Sequence, residues 1–227
     1  MNNLAIVTRA DSRINEMSKL THPLLKKYAS KCNADFIILS ENIKGLHPHW
    51  RIFNCQKLLD NYDRILMIDT DALVLPTCPN IFNIVEFSSI GTVLEDKGSR
   101  KEIRRQRIKM IQNKLGDVGW TEGYINTGVF VFSKEHRRIL EYKVEDLPVG
   151  DETGVDDAYI GYQIHKHGFK VFELPFKFNH MSMFSEDGTS RWDSYIIHAA
   201  GMGFFPLIKR TELIKQDIIL LRKYYGI

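Results

Sequence analysis

Two carboxylates spaced by one residue, Asp69 and Asp71, follow the run Ile65-Leu66-Met67-Ile68 and precede Ala72-Leu73-Val74-Leu75. Apolar runs of this kind belong to a core, where a carboxylate is costly unless a cation compensates it. A divalent metal is the simplest partner. Mg2+ or Mn2+ takes oxygen ligands in octahedral array, commonly one or two carboxylates completed by phosphate oxygens and water. The spacing lets one carboxylate ligate while its neighbours, Thr70 included, position hydroxyl groups of a substrate. The competing reading is that the pair caps the turn that follows it.

A second chemistry-bearing position is His198, which ends Tyr195-Ile196-Ile197 and is followed by Ala199-Ala200-Gly201, small residues that let backbone approach a ligand. A structural histidine at a strand end is the alternative. The pair His47 and His49 flanks Pro48 beside Trp50, and His165 and His167 have the wrong spacing for one helix face; both pairs read as surface features. The segment Asp151-Glu152-Thr153-Gly154-Val155-Asp156-Asp157 opens a helical stretch that runs to His167. Part of it serves the helix N-terminus, and Asp156 or Asp157 is the candidate catalytic carboxylate. Between Lys97 and Lys114 the chain carries Lys97, Arg100, Lys101, Arg104, Arg105, Arg107, Lys109 and Lys114 against one acid, Glu102. Arg100, Arg104 and Arg107 share one helix face, able to hold an anionic acceptor, a lipid-phosphate head group or a membrane surface, or to act as a flap; a solvated helix is the plainer reading.

The elements that must position these residues follow from periodicity. Leu4-Ala5-Ile6-Val7-Thr8 reads as a strand, and Ile14, Met17, Leu20, Leu24, Leu25 and Tyr28 trace a helix face. Phe36 to Leu39 supplies a second strand, a helix from about Arg51 to Leu59 carries Lys57, and Arg64 to Ile68 forms a third strand ending at Asp69. Short apolar strands alternating with helices imply a parallel sheet covered on both faces, with ligands beyond the carboxyl ends of its strands. Further along, strands are expected at 128–132, 171–174 and 195–198, with helices near 134–142, 155–167 and 211–224, a mixed continuation.

The chain has 227 residues, 44% of them hydrophobic, enough for one sizeable core; a single domain over 1–227 is expected, about 1–95 binding nucleotide and metal and about 96–227 facing an acceptor. A net charge of +3 gives no reason to expect nucleic acid as a partner. Three separated cysteines, Cys32, Cys55 and Cys78, point to buried thiols and not to zinc. Neither a leader nor an apolar run long enough to span a bilayer is visible, so a soluble, cytoplasmic protein is expected.

The order of four segments resembles the GT-A-fold, metal-dependent glycosyltransferases, in particular the glycogenin-like and bacterial galactosyltransferase-like (family 8-like) groups. These are Tyr62-Asp63-Arg64-Ile65-Leu66-Met67-Ile68-Asp69-Thr70-Asp71-Ala72-Leu73-Val74, Tyr124-Ile125-Asn126-Thr127-Gly128-Val129-Phe130, Asp156-Asp157-Ala158-Tyr159, and His198-Ala199-Ala200-Gly201. The resemblance implies an α/β fold of the GT-A, Rossmann-like kind with a mostly parallel central sheet, and an enzyme of the hexosyltransferase type. It implies Asp69, Asp71 and His198 as ligands of Mn2+ (or Mg2+), and donor contacts at Thr70, Asn126, Thr127 and Gly201. At the end of the first strand it implies base and ribose contacts from Thr8, Arg9 and Asp11, although Asp11 also suits a helix cap. Lys57 is a candidate for a phosphate or sugar, with Arg51 as the other. The donor implied is a UDP-sugar, UDP-glucose or UDP-galactose in type, and the acceptor a glycan, protein-linked glycan or lipid-linked sugar. The sequence departs from many relatives after Gly201, where Met202-Gly203-Phe204 replaces a Lys-Pro-Trp ending; Lys209 or Arg210 is the substitute for the missing phosphate-binding lysine.

Two other readings compete. A haloacid-dehalogenase-like phosphatase would use Asp69 as nucleophile, but two βα units precede the motif and Leu73 departs from its usual pattern. A domain that binds a nucleotide sugar without turning it over would keep the same pocket.

Overall fold

The structure is a computed structural model, and it describes residues 3–147, 155–186, 188–201, 204–205 and 207–226. The acidic residues Asp151 and Glu152, with Thr153 and Gly154, and the departure at Met202-Gly203 lie outside the described residues.

The first βα unit forms as periodicity dictates. Strand β1 (Leu4–Arg9) is buried along most of its length and leads into helix α1 (Asn15–Lys31), whose buried side includes Met17, Leu25 and Tyr28. Strand β2 (Asp35–Leu39) pairs with β1 in parallel. The expected helix over 51–59 is a 3-10 stretch, Pro48–Asn54, running into a single α turn, α2 (Cys55–Leu58). Proline at the first helical position and the following run of bulky Trp50, Ile52 and Phe53, all buried, favour this tight winding against the core.

Strand β3 (Arg64–Ile68) is buried at every position and pairs in parallel with β1. Even Arg64 is interior, donating through Nη1 to the Phe82 carbonyl at 2.8 Å. The strand stops at Ile68. Asp69, Thr70 and Asp71 form a turn, closed by the Ala72 N–H donating to the Asp69 carbonyl at 3.0 Å, and the chain re-enters extended structure as β4 (Ala72–Val74).

Strand β5 (Ser89–Leu94) and the basic helix α3 (Lys101–Leu115) come next, and the nine-residue β6 (Ile125–Ser133) then inserts between β3 and β5, antiparallel to both. Helix α4 (Val155–Lys166) and strand β7 (Lys170–Glu173) complete a six-stranded sheet of order β2-β1-β3-β6-β5-β7, parallel except for β6. The helix expected near 134–142 is a 3-10 segment, Lys134–Leu140. A separate two-stranded ribbon pairs β4 with β8 (Ile196–His198), antiparallel, and α5 (Arg210–Tyr225) packs near α1.

All three cysteines are free and buried, as expected. Among the described residues, no helix is long and apolar enough to cross a membrane.

Candidate functional site

The β4–β8 ribbon decides the site. Its register sets Ala72 opposite His198, and the Ala199 N–H donates to the Asp71 carbonyl at 3.1 Å, so the end of β8 lies against the turn that carries both aspartates. Ligand-type atoms of Asp69, Asp71 and His198 all fall within 4.8 Å of one another. His198 Nε2 is 3.2 Å from an Asp71 oxygen and 3.9 Å from an Asp69 oxygen.

The imidazole is held from behind. The Gly128 N–H donates to the Asn126 side-chain oxygen at 2.9 Å, which makes that oxygen an acceptor. The Asn179 atom facing it at 2.8 Å is therefore the amide nitrogen, so the Asn179 oxygen faces His198 Nδ1, also at 2.8 Å. A carboxamide oxygen only accepts, so Nδ1 carries a proton and Nε2 is the ring nitrogen turned towards the two aspartates. Gly128 is required by this closeness: a Cβ there would sit 2.2 Å from His198 Cε1.

The turn is fastened on its other side to β1. Thr70 Oγ1 donates to the Arg9 carbonyl at 2.8 Å, which leaves Thr8 Oγ1 to donate to Thr70 at 3.0 Å. The Asp69 N–H donates to the Gly128 carbonyl at 2.9 Å.

Two arginines balance the two acids. Arg9 spans Asp69, at 2.6 Å, and Asp156, at 2.5 Å; Arg210 Nη1 lies 2.8 Å from Asp71 and its Nη2 donates to the Gly201 carbonyl at 2.9 Å. Burial works to raise the Asp71 carboxyl, but His198 and Arg210 outweigh it and hold the group at about 2. Burial likewise opposes protonation of His198, and the neighbouring Asp71 and Asp69 override it, raising the imidazole above its ordinary value.

These groups line a cavity of about 670 Å3, with Arg9, Asp11, Arg51, Asn126 and Gly201 in its wall. Asp11 accepts from both Arg13 and Arg51 and caps the 3-10 turn after β1, one of its two expected roles, while lining the cavity. Several expected residues stand elsewhere. Lys57 is exposed and outside the cavity wall, Lys209 is also outside it, and Thr8 and Thr127 are buried behind it. Asp156 and Asp157 are buried as well and do not line the cavity. Asp156 is committed to Arg9 and to the Thr127 hydroxyl at 3.2 Å, and Asp157 accepts from both the Thr127 N–H and hydroxyl at 2.7 Å. Burial, with Asp156 and Glu95 close by, pushes Asp157 up to about 7. Asp156 lies below the usual range: Arg9, then His49, overcome the cost of its burial.

The structure corrects two readings of the sequence. His47 and His49, read as surface features, stack on each other with ring centroids 4.6 Å apart and line the cavity; the His49 carbonyl accepts from Arg9 at 2.8 Å. The α3 face of Arg100, Arg104 and Arg107, read more simply as solvated, turns into the cavity instead. The cause is Glu95, buried just beyond β5, which pairs with Arg100 and, at 2.7 Å, with Arg104. The sequence carries no sign of Asn179, and of Glu95 only its place five and nine residues before Arg100 and Arg104.

No family model matches the sequence, and comparison with curated proteins gives no match. Solved structures do match. One is a glycosyltransferase involved in glycosylation of the major capsid of PBCV-1, at 14% identity over 96% of this chain and 99% of that one, TM-score 0.60. Another is the galactosyltransferase LgtC in complex with donor and acceptor sugar analogues, at 16% identity over 98% and 97%, TM-score 0.59. A third is a Drosophila beta-1,4-galactosyltransferase 7 mutant in complex with manganese, UDP-Gal and xylobiose, at 11% identity over 95% and 80%, TM-score 0.53. At such identities the likeness is one of fold.

Proposed function

We propose that this chain, which has the GT-A fold, is a metal-dependent glycosyltransferase that moves a sugar from a nucleoside-diphosphate donor, UDP-sugars favoured, to a glycan, protein-linked glycan or lipid-linked acceptor. The observation that carries the reading is the convergence of Asp69, Asp71 and His198 at the rim of a substrate-sized cavity. A set of two carboxylates and one neutral imidazole nitrogen suits Mn2+, with Mg2+ as the harder alternative. The fit is supported by the proton on Nδ1, which leaves Nε2 as the donor atom. Bound there, the ion would supply a Lewis acid that stabilises charge growing on the departing diphosphate.

The protein's own groups do the rest. Arg210, tied to Asp71 and to the Gly201 carbonyl, takes the phosphate-binding part for which Lys209 was the other candidate. Asn126 and Gly201 face the donor sugar, while Thr8, Thr70 and Thr127 hold the surrounding turns in place. Arg9, Asp11 and Arg51 line the nucleotide side. Asp156 and Asp157 act from behind the wall as positioning residues: Asp156 fixes Arg9 and through it Asp69.

A panel of nucleotide sugars assayed for Mn2+-dependent release of nucleoside diphosphate tests the proposal. Slow donor hydrolysis, fastest with a UDP-sugar and accelerated by an acceptor, is the expected result. Tight metal-dependent binding with no release from any donor would instead identify a binding module. Trapping of a phosphorylated Asp69 would revive the phosphatase reading, against which the fold weighs.

A further inference from the structure

Each aspartate of the turn divides its two oxygens between two neighbours. Oδ2 of Asp69 and Oδ1 of Asp71 face His198 Nε2, at 3.9 and 3.2 Å. The other oxygens, Oδ1 of Asp69 and Oδ2 of Asp71, are held from outside by guanidinium groups, Arg9 at 2.6 Å and Arg210 at 2.8 Å. The two arginines are not equivalent. Arg9 is 8% exposed and is tied on its far side to the Asp156 carboxylate at 2.5 Å and to the His49 carbonyl at 2.8 Å, so its position is fixed and its charge is shared with an acid away from the turn. Arg210 is 40% exposed and meets, besides Asp71, the neutral Gly201 carbonyl at 2.9 Å. Among the described residues no second carboxylate pairs with it.

Arg210 can turn without its helix moving. It is the first residue of α5, whose inner side buries Leu213, Ile214 and Leu221, and two turns along the same helix Asp217, 2% exposed, receives Arg191 at 2.8 Å. The backbone is thus anchored and the guanidinium projects into the cavity wall beside Asp69, Asp71 and Gly201. A guanidinium on Asp71 satisfies part of the negative charge that would attract a divalent cation, and once such an ion shares the carboxylate the two positive groups repel each other. A neutral partner, as Asn179 is to His198, steadies a ligand without that opposition. A diphosphate reverses the balance, because its oxygens can serve a hard cation and a guanidinium fork together.

We propose that Arg210 couples metal binding to diphosphate binding: it stands in for a cation on Asp71, opposes a metal ion that arrives without nucleotide, and turns from Asp71 to the diphosphate when the two arrive together. The inference rests on the metal-dependent glycosyltransferase reading and specifies how that site is loaded. Arg9, with Asp156 behind it, keeps its hold on Asp69 throughout, so one arginine positions the turn and the other regulates it.

The test measures Mn2+ binding by equilibrium dialysis on the full chain, alone, with UDP, and with uridine, which lacks phosphate. In the unaltered protein UDP is expected to tighten Mn2+ binding by about tenfold or more, and uridine to leave it unchanged. In Arg210→Gln, Mn2+ alone should bind about three- to tenfold more tightly than in the unaltered protein, while the gain from UDP shrinks towards parity. In Arg210→Lys, which keeps the charge, Mn2+ alone should stay within about twofold of the unaltered protein. Because coupling is reciprocal, the gain in UDP affinity from Mn2+, read by calorimetry, should shrink in Arg210→Gln by the same factor. Circular dichroism checks the fold, and Arg210→Met carries the comparison where Arg210→Gln is misfolded. Equal or weaker binding of Mn2+ alone in Arg210→Gln overturns the proposal, since it would make Arg210 a support for Asp71 and not a competitor for it. An unchanged gain from UDP overturns it as well. If Mn2+ binds and only these Arg210-dependent differences are missing, the proposal alone falls; if neither the unaltered protein nor any variant binds Mn2+, with or without UDP, the metal-dependent reading falls and takes the proposal with it.

Discussion

His198 and Asn179 meet through Nδ1 and the side-chain oxygen at 2.8 Å, and the Gly128 N–H on β6, by donating to the Asn126 oxygen that Asn179 also faces, determines which atom of that pair carries the proton. A backbone amide cannot flip, so the orientation of both carboxamides is fixed. It makes Asn179 the residue that would present Nε2 to the proposed ion, although Asn179 is wholly buried and touches no ligand position itself.

Asn179→Ala is therefore expected to weaken Mn2+ binding by about 10- to 100-fold, the usual effect of removing the partner behind a ligating histidine. Titration of the apo protein followed by Mn2+ electron paramagnetic resonance measures it without reference to turnover. Nitrogen NMR of His198, recorded above the pH at which its raised imidazole loses a proton, should show the Nδ1–H form in the unaltered protein and a mixture of tautomers in the variant; unchanged affinity and tautomer would remove Asn179 from the site.

Asp71→Ala removes a proposed direct ligand, so its effect should exceed that of Asn179→Ala, a loss of more than about a hundredfold in metal affinity, with metal-dependent turnover abolished. Metal-dependent turnover at the unaltered rate in this variant would refute the assignment of the site.

Gly128→Ala places a methyl group 2.2 Å from His198 Cε1 and 2.8 Å from the Asn126 oxygen. Both neighbours are buried, so overpacking should cost about 1–3 kcal/mol and push the imidazole off its position. Urea unfolding together with the Mn2+ titration checks this, and the prediction fails if neither stability nor affinity changes.

Asp157 supplies a pH signature independent of any metal. Its folded-state value, about 7, is above the ordinary carboxyl value of 3.8, so the folded chain binds the proton more tightly. The stabilisation this gives is complete below the unfolded value and is lost as pH rises towards and through 7, at most about 4 kcal/mol in all. Asp157→Asn keeps an acceptor oxygen for Thr127 and cannot ionise. Unfolding free energies at pH 5 and pH 8 should therefore converge in the variant relative to the unaltered protein, and an unchanged difference would show that Asp157 does not titrate in this window.

Those parts of the fold that depend on local pattern were readable in advance. The apolar run 65–68 can only be an interior strand, and the acids that break it mark the strand's exposed end. β5 escaped because Ser89, Gly91 and Thr92 dilute its apolar content; they are tolerated inside because Thr92 Oγ1 donates to the Asn126 carbonyl at 2.7 Å and Gly91 gives room to Val85. The turn at 69–71 and His198 were identified by position and order. Glu95, Asn179 and Arg210 acquire their meaning from contacts across the fold, and a buried acid that reorients a basic helix leaves little trace in the spacing of either partner. His47 and His49 were misjudged for a related reason: a loop beside proline looks solvated until Trp50 anchors it against the core.

The ribbon of β4 and β8 stands outside the six-stranded sheet, whose last strand in chain order is complete at Glu173. Every strand of the main sheet is thus translated before the histidine that faces the aspartate turn. An ion held as proposed would therefore tie a late segment of the chain, and not a strand of the sheet, to the aspartate turn. Loading with metal would then report that the distal part of the chain has docked, a separate event from formation of the sheet itself.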